Sequence, residues 1–215
     1  MNINDNYPEL FSLKDKSYGT YEIDKPVVIF MDGVGVTRNH HLYNMLQPNN
    51  YTVRLSQSAN ALLRMLNIDC TYYAALDEIS FIFPDTQQLI DVMRMDNTKA
   101  YIESLFAQKF VKIMWNYYPQ TIIKVTSFNI GSENIQEWIK YRTDVCKNNS
   151  VMYVAKEYLD KEKYHEKESK EIIRELKKEH LYDEVLLKNK ALYKGILKTV
   201  HRNDDSMINL FANFL

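Results

Sequence analysis

Cysteine is almost absent: Cys70 and Cys146 are the only two in 215 residues, with no Cys-x-x-Cys pair and no zinc-type spacing. That excludes a disulfide framework and a cysteine-built structural metal, and it points to a reducing compartment, the cytoplasm. Glycine and proline are scarce too, with five of each. No linker rich in them divides the chain, and no internal repeat or low-complexity tract is visible. A single domain over residues 1–215 is expected, with its core over about 20–130 and a helical and strand extension over about 131–215. No apolar run approaches bilayer-spanning length, and the opening Met1-Asn2-Ile3-Asn4-Asp5-Asn6 lacks a basic start and an apolar stretch. A soluble protein with no membrane partner is expected. Excess charge is missing as well, 27 Lys and Arg standing against 28 Asp and Glu. Any polyanion must therefore be met by a local patch and not by basic bulk.

What is present is apolar material, 46% of residues, enough for one sizeable core in a chain too short for two ordinary domains. Residues 26–31 (Pro-Val-Val-Ile-Phe-Met) form a continuous β-branched and apolar run that stops at Asp32-Gly33, as a buried strand meeting a turn does. Residues 56–66 carry Ala59, Leu62, Leu63 and Leu66 at helical spacing. Two short apolar runs, 70–76 and 79–83, flank Asp77-Glu78 and predict a hairpin with acids at its tip. A helix is expected over about 98–117, an alternating strand over 121–130, a helix over 134–159, and a late strand over 191–200. The charged stretch 160–180 mixes Lys and Glu as a solvated helical face does, with an RNA-contacting surface as the alternative. The order βαββαβ gives an α+β fold: a ferredoxin-like antiparallel sheet with helices on one face, the layout of a polymerase palm, plus a C-terminal helical extension.

Chemistry concentrates where the first strand ends and where the hairpin turns, because that layout sets both points on neighbouring strands. Asp32 and Asp77 would then face each other. Two carboxylates held a few ångströms apart repel unless cations neutralise them, and paired Mg²⁺ ions are the usual answer when the substrate carries phosphates. The turn Gly33-Val34-Gly35-Val36-Thr37 offers backbone N–H groups to a triphosphate. Other candidates are weaker. Asn39-His40-His41 lies in a polar stretch with no partner at zinc spacing; Cys146 sits beside Lys147 with no triad in view and reads as a packed thiol; Trp115-Asn116-Tyr117-Tyr118 either stacks on bases or closes a helix against the core.

The two acidic segments carry a family resemblance. Asp32-Gly33-Val34-Gly35-Val36-Thr37-Arg38 resembles the Asp-Gly-Arg-Gly-Phe-His-Lys/Arg of the tRNA-His guanylyltransferase and guanylyltransferase-like family, and Leu76-Asp77-Glu78-Ile79-Ser80-Phe81-Ile82-Phe83 resembles its Ser-Asp-Glu-Tyr-Ser-Phe-Val-Phe. Further blocks follow in family order. Ser12-Leu13 through Tyr21-Glu22 is similar to the N-terminal Leu-Gly-Asp-Arg-Met-Lys-x-Tyr-Glu, and Gln47-Pro48-Asn49-Asn50 to Lys-Pro-Asn-Asp. Arg142-Thr143-Asp144-Val145-Cys146-Lys147-Asn148-Asn149 is similar to Arg-Gln-x-Asp-Cys-His-Ile-Asn, and Leu192-Tyr193-Lys194-Gly195 to Tyr-Arg-Lys-Gly. The resemblance spans about residues 12–200.

What the resemblance implies is a palm fold, two Mg²⁺ ions, GTP and ATP as substrates, a tRNA partner, a tetramer, and addition of nucleotides to a 5′ end, which is 3′-to-5′ polymerisation. Carried over by position, Asp32 and Asp77 are metal ligands, the Gly33 carbonyl is a third, and Glu78 is a supporting acid. Gly33, Val34, Gly35, Val36, Thr37 and Arg38 would line the triphosphate, and Lys99, Asn149 and Lys194 would contact nucleotide or phosphate. The departures are informative: Val34 stands for the motif arginine, Thr37 for histidine, Gln47 for lysine, Leu76 for serine, Lys147 for histidine and Val145 for aspartate. They favour a guanylyltransferase-like protein that restores missing 5′ nucleotides on a template over a dedicated one-guanylate enzyme. Two other functions fit the same layout: a palm-type cyclase or oligonucleotide synthase using the same two aspartates, and a catalytically silent RNA-binding module.

Overall fold

In the structure, a computed structural model, residues 6–13, 19–34, 50–119 and 121–203 are described. A short helix, α1 (Pro8–Leu13), precedes strand β1 (Val27–Gly33), helix α2 (Tyr51–Leu66), the hairpin β2 (Cys70–Ala75) and β3 (Glu78–Phe83), helices α3 (Thr86–Met93) and α4 (Lys99–Met114), and β4 (Ile123–Asn129). A long helix α5 (Ile135–Tyr158), helix α6 (Ser169–Lys178), a π-helical turn (Tyr182–Leu187), the short α7 (Lys190–Lys194) and β5 (Ile196–Val200) follow. The strands form one antiparallel sheet in the order β4-β1-β3-β2-β5. Its first four members have the expected βαββαβ order, and β5 adds an outer strand beside β2.

The register explains why β1 reads as an unbroken apolar run. Val27, Ile29 and Met31 point to one face, where they join Phe81, Phe83, Tyr72 and the buried sides of α2, α3 and α4. Val28 and Phe30 point to the other, where Ile82, Phe128, Trp138 and Tyr141 form a second, smaller core. A strand covered on both faces cannot alternate apolar with polar. The first core is rich in edge-on aromatic contacts: Phe81 lies 4.9 Å from Phe106 and 5.5 Å from Phe110 between ring centroids. Truncating such a ring to alanine costs about 3–5 kcal/mol.

Several boundaries shift for local reasons. The first long helix starts at Tyr51, ahead of the apolar spacing, because Asn50 caps it, its side chain accepting the Val53 N–H at 3.0 Å. Helix α3 is an element that the apolar spacing does not reveal; Asp85 caps it by accepting the Gln88 N–H at 2.9 Å. The late strand is shorter than expected. Residues 190–194 are helical, and Gly195, at φ +71°, turns the chain into β5. A β-carbon there would lie 2.6 Å from the Tyr73 ring and 2.7 Å from the Ala74 carbonyl oxygen, so this position requires glycine. Helix α5 crosses the face of the sheet opposite α2 and α4, putting Trp138 and Tyr141 in the second core and Cys146, Val151 and Val154 in the first. Within the charged stretch, α6 is amphipathic, with Ile172 and Leu176 buried four residues apart.

Candidate active site

Asp32 is the sixth residue of β1, on the same face as Val28 and Phe30, and its cross-strand neighbours are Glu78 on β3 and Lys124 on β4. Asp77 lies one residue beyond, in the two-residue turn of the hairpin. Across from it is Gly33, whose N–H donates to the Asp77 carbonyl at 2.8 Å. The topology thus brings the two aspartates to one end of the sheet, one near the end of β1 and one in the adjacent hairpin turn. The acid directly opposite Asp32 is Glu78, with Asp77 offset along the strand. The turn is held tightly. Leu76 is buried with φ +52°, a left-handed conformation that costs a non-glycine residue about 1–2 kcal/mol. Its carbonyl accepts the Thr52 hydroxyl at 3.0 Å, fastening the N-terminus of α2 to the hairpin. The partly positive end of that helix therefore lies at the carboxylate end of the sheet.

Arg142, on α5, completes the site from the other side. It is 2% exposed, forms an ion pair with Glu78, and stacks its guanidinium over Phe30 at 4.8 Å, Tyr141 at 5.2 Å and Trp138 at 5.9 Å. Burial pushes its pKa down to about 10, against the opposing attraction of Tyr73, Asp32, Cys146 and Asp77. It remains a cation at neutral pH. In the sequence, Arg142 stands out only as the first residue of the motif over residues 142–149. The signal was its spacing: Trp138, Tyr141 and Arg142 are three and four residues apart, and so share one helical face.

The remaining candidates divide. Lys194 is exposed at the end of α7, and its carbonyl accepts the Tyr73 hydroxyl at 2.8 Å. The following strand pairs Ile196 with Ala74, near the hairpin turn, so Lys194 belongs to the carboxylate end. Asn149 is exposed on α5, two turns beyond Arg142. Lys99 starts α4, after β3 has run to the far end of the sheet, where Phe83 pairs with Val27. Its backbone N–H donates to Gly19 and its ammonium lies 5.8 Å from the Tyr21 ring centre. The structure does not bring Lys99 to the aspartates. Gly35, Val36, Thr37 and Arg38, with Gln47 and His40-His41, lie outside the described residues, in the connection from Val34 to Asn50 that joins the two site-bearing elements.

Two side issues are settled by packing. The Cys146 thiol is buried, burial raises its pKa, and it contacts the Leu192 carbonyl at 3.4 Å, as a packing group docking α7 does. The aromatic cluster splits. Tyr118 packs against Tyr51 in a tilted contact with ring centres 5.0 Å apart and ties the end of α4 to α2, whereas Trp115 and Tyr117 are exposed, with Arg54 4.7 Å from the Tyr117 ring centre. In the altered motif region, Asp144 accepts the Tyr7 hydroxyl at 3.0 Å and pairs with Lys147 at 3.6 Å.

Asp32, Asp77 and the backbone carbonyl at Gly33 would offer hard oxygen donors of the kind that Mg²⁺ takes. Among the described residues no group of three His, Cys, Asp or Glu side chains could hold a metal ion by itself.

No family model matches the chain, and no curated protein matches it. Solved structures do. The tRNA(His) guanylyltransferase of Saccharomyces cerevisiae superposes with a TM-score of 0.65 over 90% of this chain and 95% of its own, at 17% identity. A bacterial tRNA(His) guanylyltransferase-like protein in complex with ATP gives 0.56 over 91% and 87%, at 16% identity. At such identities the likeness is one of fold: the palm-ordered sheet with its C-terminal helical extension is shared almost end to end.

Proposed function

We propose that the chain is a nucleotidyltransferase of the tRNA-His guanylyltransferase-like kind, which adds nucleotides to the 5′ end of a tRNA. The observation that carries this reading is that Asp32, near the end of β1, and Asp77, in the neighbouring hairpin turn, lie at one end of the sheet, with the Gly33 N–H donating to the Asp77 carbonyl at 2.8 Å. The end-to-end likeness of fold to two proteins named for this activity, one of them in complex with ATP, supports it. Two Mg²⁺ ions held by Asp32, Asp77 and the Gly33 carbonyl would make the attacking hydroxyl more acidic and neutralise a departing pyrophosphate.

The chain's own groups have separable tasks. The N-terminus of α2 presents partly positive backbone N–H groups at the carboxylate end, suited to the phosphates of ATP or GTP. Lys194, exposed at the same end, adds a positive charge for phosphate or RNA. Asn149 lies further along α5 and is assigned to the RNA. Leu76, Thr37 and Gln47 replace polar or basic residues of the family pattern, so base choice comes from pairing with the opposite RNA strand, and the enzyme is a templated 5′-end repair activity. The family's tetramer and a cytoplasmic location belong to the same reading, and two buried free cysteines agree with a reducing compartment.

The test is incubation with Mg²⁺, labelled triphosphates and 5′-truncated tRNAs that differ at the opposing base, followed by sizing of the RNA. Extension at the 5′ end, with G directed by C and U by A, is expected. Labelled product without tRNA would replace this reading with a nucleotide cyclase or oligonucleotide synthase. Exclusive G addition would replace templated repair with a dedicated guanylyltransferase.

A further inference from the structure

The chain between α4 and β4 leaves large aromatic and apolar surface in water. Trp115 is 56% exposed and Tyr117 41%; Ile122 is exposed too, and its carbonyl accepts the N–H of the exposed Val34 at 2.9 Å. Contacts on two sides fix where this surface lies. Tyr117 is covered by the Arg54 guanidinium from the first turn of α2, the helix whose Thr52 is fastened to the hairpin turn at Leu76. On the other side Ile123 pairs with Gly33, the residue after Asp32. The exposed rings therefore stand at the carboxylate end of the sheet. Charge sets this corner apart from a plain apolar patch. No acidic residue occurs between Asp32 and Asp69 or between Glu103 and Glu133, although acids are 28 of the 215 residues. The cations there include Arg54, Lys112, exposed one helical turn before Trp115, and Lys124, exposed on β4. None of these three forms an ion pair among the described residues.

We propose that Trp115 and Tyr117, flanked by Arg54 and Lys112, form a stacking platform for unpaired nucleotides of the RNA, those opposite the 5′ end that is being extended. The inference rests on the proposed 5′-end addition and deepens it by giving the opposite strand a place. An apolar partner would cover the rings but strip water from cations that have no counter-charge, which is costly. A single strand of RNA satisfies both, because each base offers a π-face to a ring and each phosphate a charge to a guanidinium or ammonium. The reaction supplies such a strand. An RNA shortened at its 5′ end carries, on the opposite strand, bases with no partner, and unpaired bases are the ones free to splay onto aromatic side chains. Stacking accepts any base, so the platform holds the strand without choosing its sequence, and pairing is left to choose the incoming nucleotide.

Trp115 and Trp138 are the only tryptophans, and Trp138 is fully buried, so fluorescence open to contact quenching belongs to Trp115. The experiment titrates the full chain, without triphosphate, with an RNA hairpin bearing a 3′ overhang of about four nucleotides, the short end of single-strand site sizes. The same hairpin with a blunt end is the control, and 5′ extension of the overhang hairpin is measured in parallel. Quenching by the overhang hairpin and not by the blunt one is expected. Trp115→Ala and Tyr117→Ala, both at exposed positions, should bind the overhang hairpin about five- to tenfold more weakly, the loss of one stacked base. Trp115→Phe, which keeps a ring, should stay within about twofold of wild type. Arg54→Ala should also weaken binding, by a factor that shrinks as salt rises. Unchanged affinity in Trp115→Ala and Tyr117→Ala, with 5′ extension intact, overturns the inference while the proposed activity stands. Equal quenching by the two hairpins overturns it as well. So does a Trp115→Ala protein that sediments as a smaller particle with unchanged RNA affinity, since a second copy of the chain is then what covers the rings. Wild-type protein that is quenched by the overhang alone but extends no RNA overturns the proposed activity and keeps the platform as a single-strand site.

Discussion

Two ionisable side chains are buried on opposite faces of the sheet, and their surroundings treat them in opposite ways. Arg142, 2% exposed, is met by Glu78 and by the attraction of Asp32 and Asp77, from two strands and a turn. Glu103, 7% exposed on α4, has Ser127 and Lys99 beside it, and its Oε1 has no hydrogen-bond partner among the described residues. Burial raises the pKa of Glu103, with the hydrogen bonds of Ser127 and the charge of Lys99 opposing. Tyr21 and Ser127, bonded to each other at 2.5 Å, complete that polar pocket. Where opposite charges converge from several elements, the buried ion stays ionised and the residues around it are available for chemistry. Where they do not, the structure favours the neutral form, and the group belongs to packing.

The largest effect that separates the two regions is catalytic. Asp32→Asn or Asp77→Asn is expected to leave the protein folded and to lower single-turnover nucleotide transfer at least about a thousandfold, the loss of roughly 4 kcal/mol of transition-state stabilisation. Glu103→Gln should leave that rate within twofold. Near wild-type transfer by either aspartate variant would erase the distinction between the two ends.

Gly195 gives a structural version of the same contrast. It anchors the last strand beside the carboxylate end, with φ +71° and no room for a β-carbon against Tyr73 and Ala74. Gly195→Ala should destabilise by about 2–3 kcal/mol through backbone strain and steric displacement. It should also depress activity further than the stability loss explains, because the carbonyl that Tyr73 bonds belongs to Lys194. Urea denaturation and transfer rates measured on the same preparation check it; an unchanged midpoint would show that the strand docks without this glycine.

How much of this was legible in the sequence depends on how local the cause is. The β1 run, the hairpin with its acidic tip, and the order βαββαβ follow from apolar patterning over a few residues, and the structure has them. Asp32 and Asp77 flank strand ends, and their placement at one end of the sheet follows from topology alone. The ion pair of Arg142 with Glu78 does not, because it depends on α5 crossing the sheet through packing of Trp138 against Phe30 and Phe128. The position of Lys99 shows the same limit. It follows the hairpin by a few turns of chain, yet α3 and the end of β3 carry it to the far side. The apolar spacing of Ala59, Leu62, Leu63 and Leu66 marks only residues 56–66 of helix α2, because its boundary is a polar cap at Asn50.

The pH dependence of stability sharpens the comparison from the other end. The folded-state pKa of Glu103 lies above its unfolded value near 4.5, so the folded protein holds that proton more tightly. Its stability contribution is most favourable below the unfolded pKa and is lost as pH rises through the raised folded value. Glu103→Gln, which keeps the shape without the charge, should stabilise the protein at pH 7–8 by about 1 kcal/mol, with the advantage fading toward pH 4. Thermal midpoints of both proteins across that range check it. A constant difference between them would mean that Glu103 is not the titrating group.

The smallest expected effect compares two lysines that the family resemblance treats alike. Lys194 is exposed at the carboxylate end, whereas Lys99 is half-buried at the opposite end, packed over Tyr21 and near Glu103. Removing an exposed charge that meets a phosphate typically costs about 0.5–1 kcal/mol and is screened by salt. Lys194→Ala should therefore weaken binding of GTP or 5′-truncated tRNA about two- to fivefold at low ionic strength, with the effect shrinking as salt rises. Lys99→Ala should leave the affinity for GTP unchanged and instead push the pKa of Glu103 higher, because a neighbouring positive charge has been removed. Equilibrium binding at two salt concentrations separates these outcomes. Equal losses from both lysines would place Lys99 in contact with ligand, a position that a single chain does not provide, and would point to a second subunit completing the site.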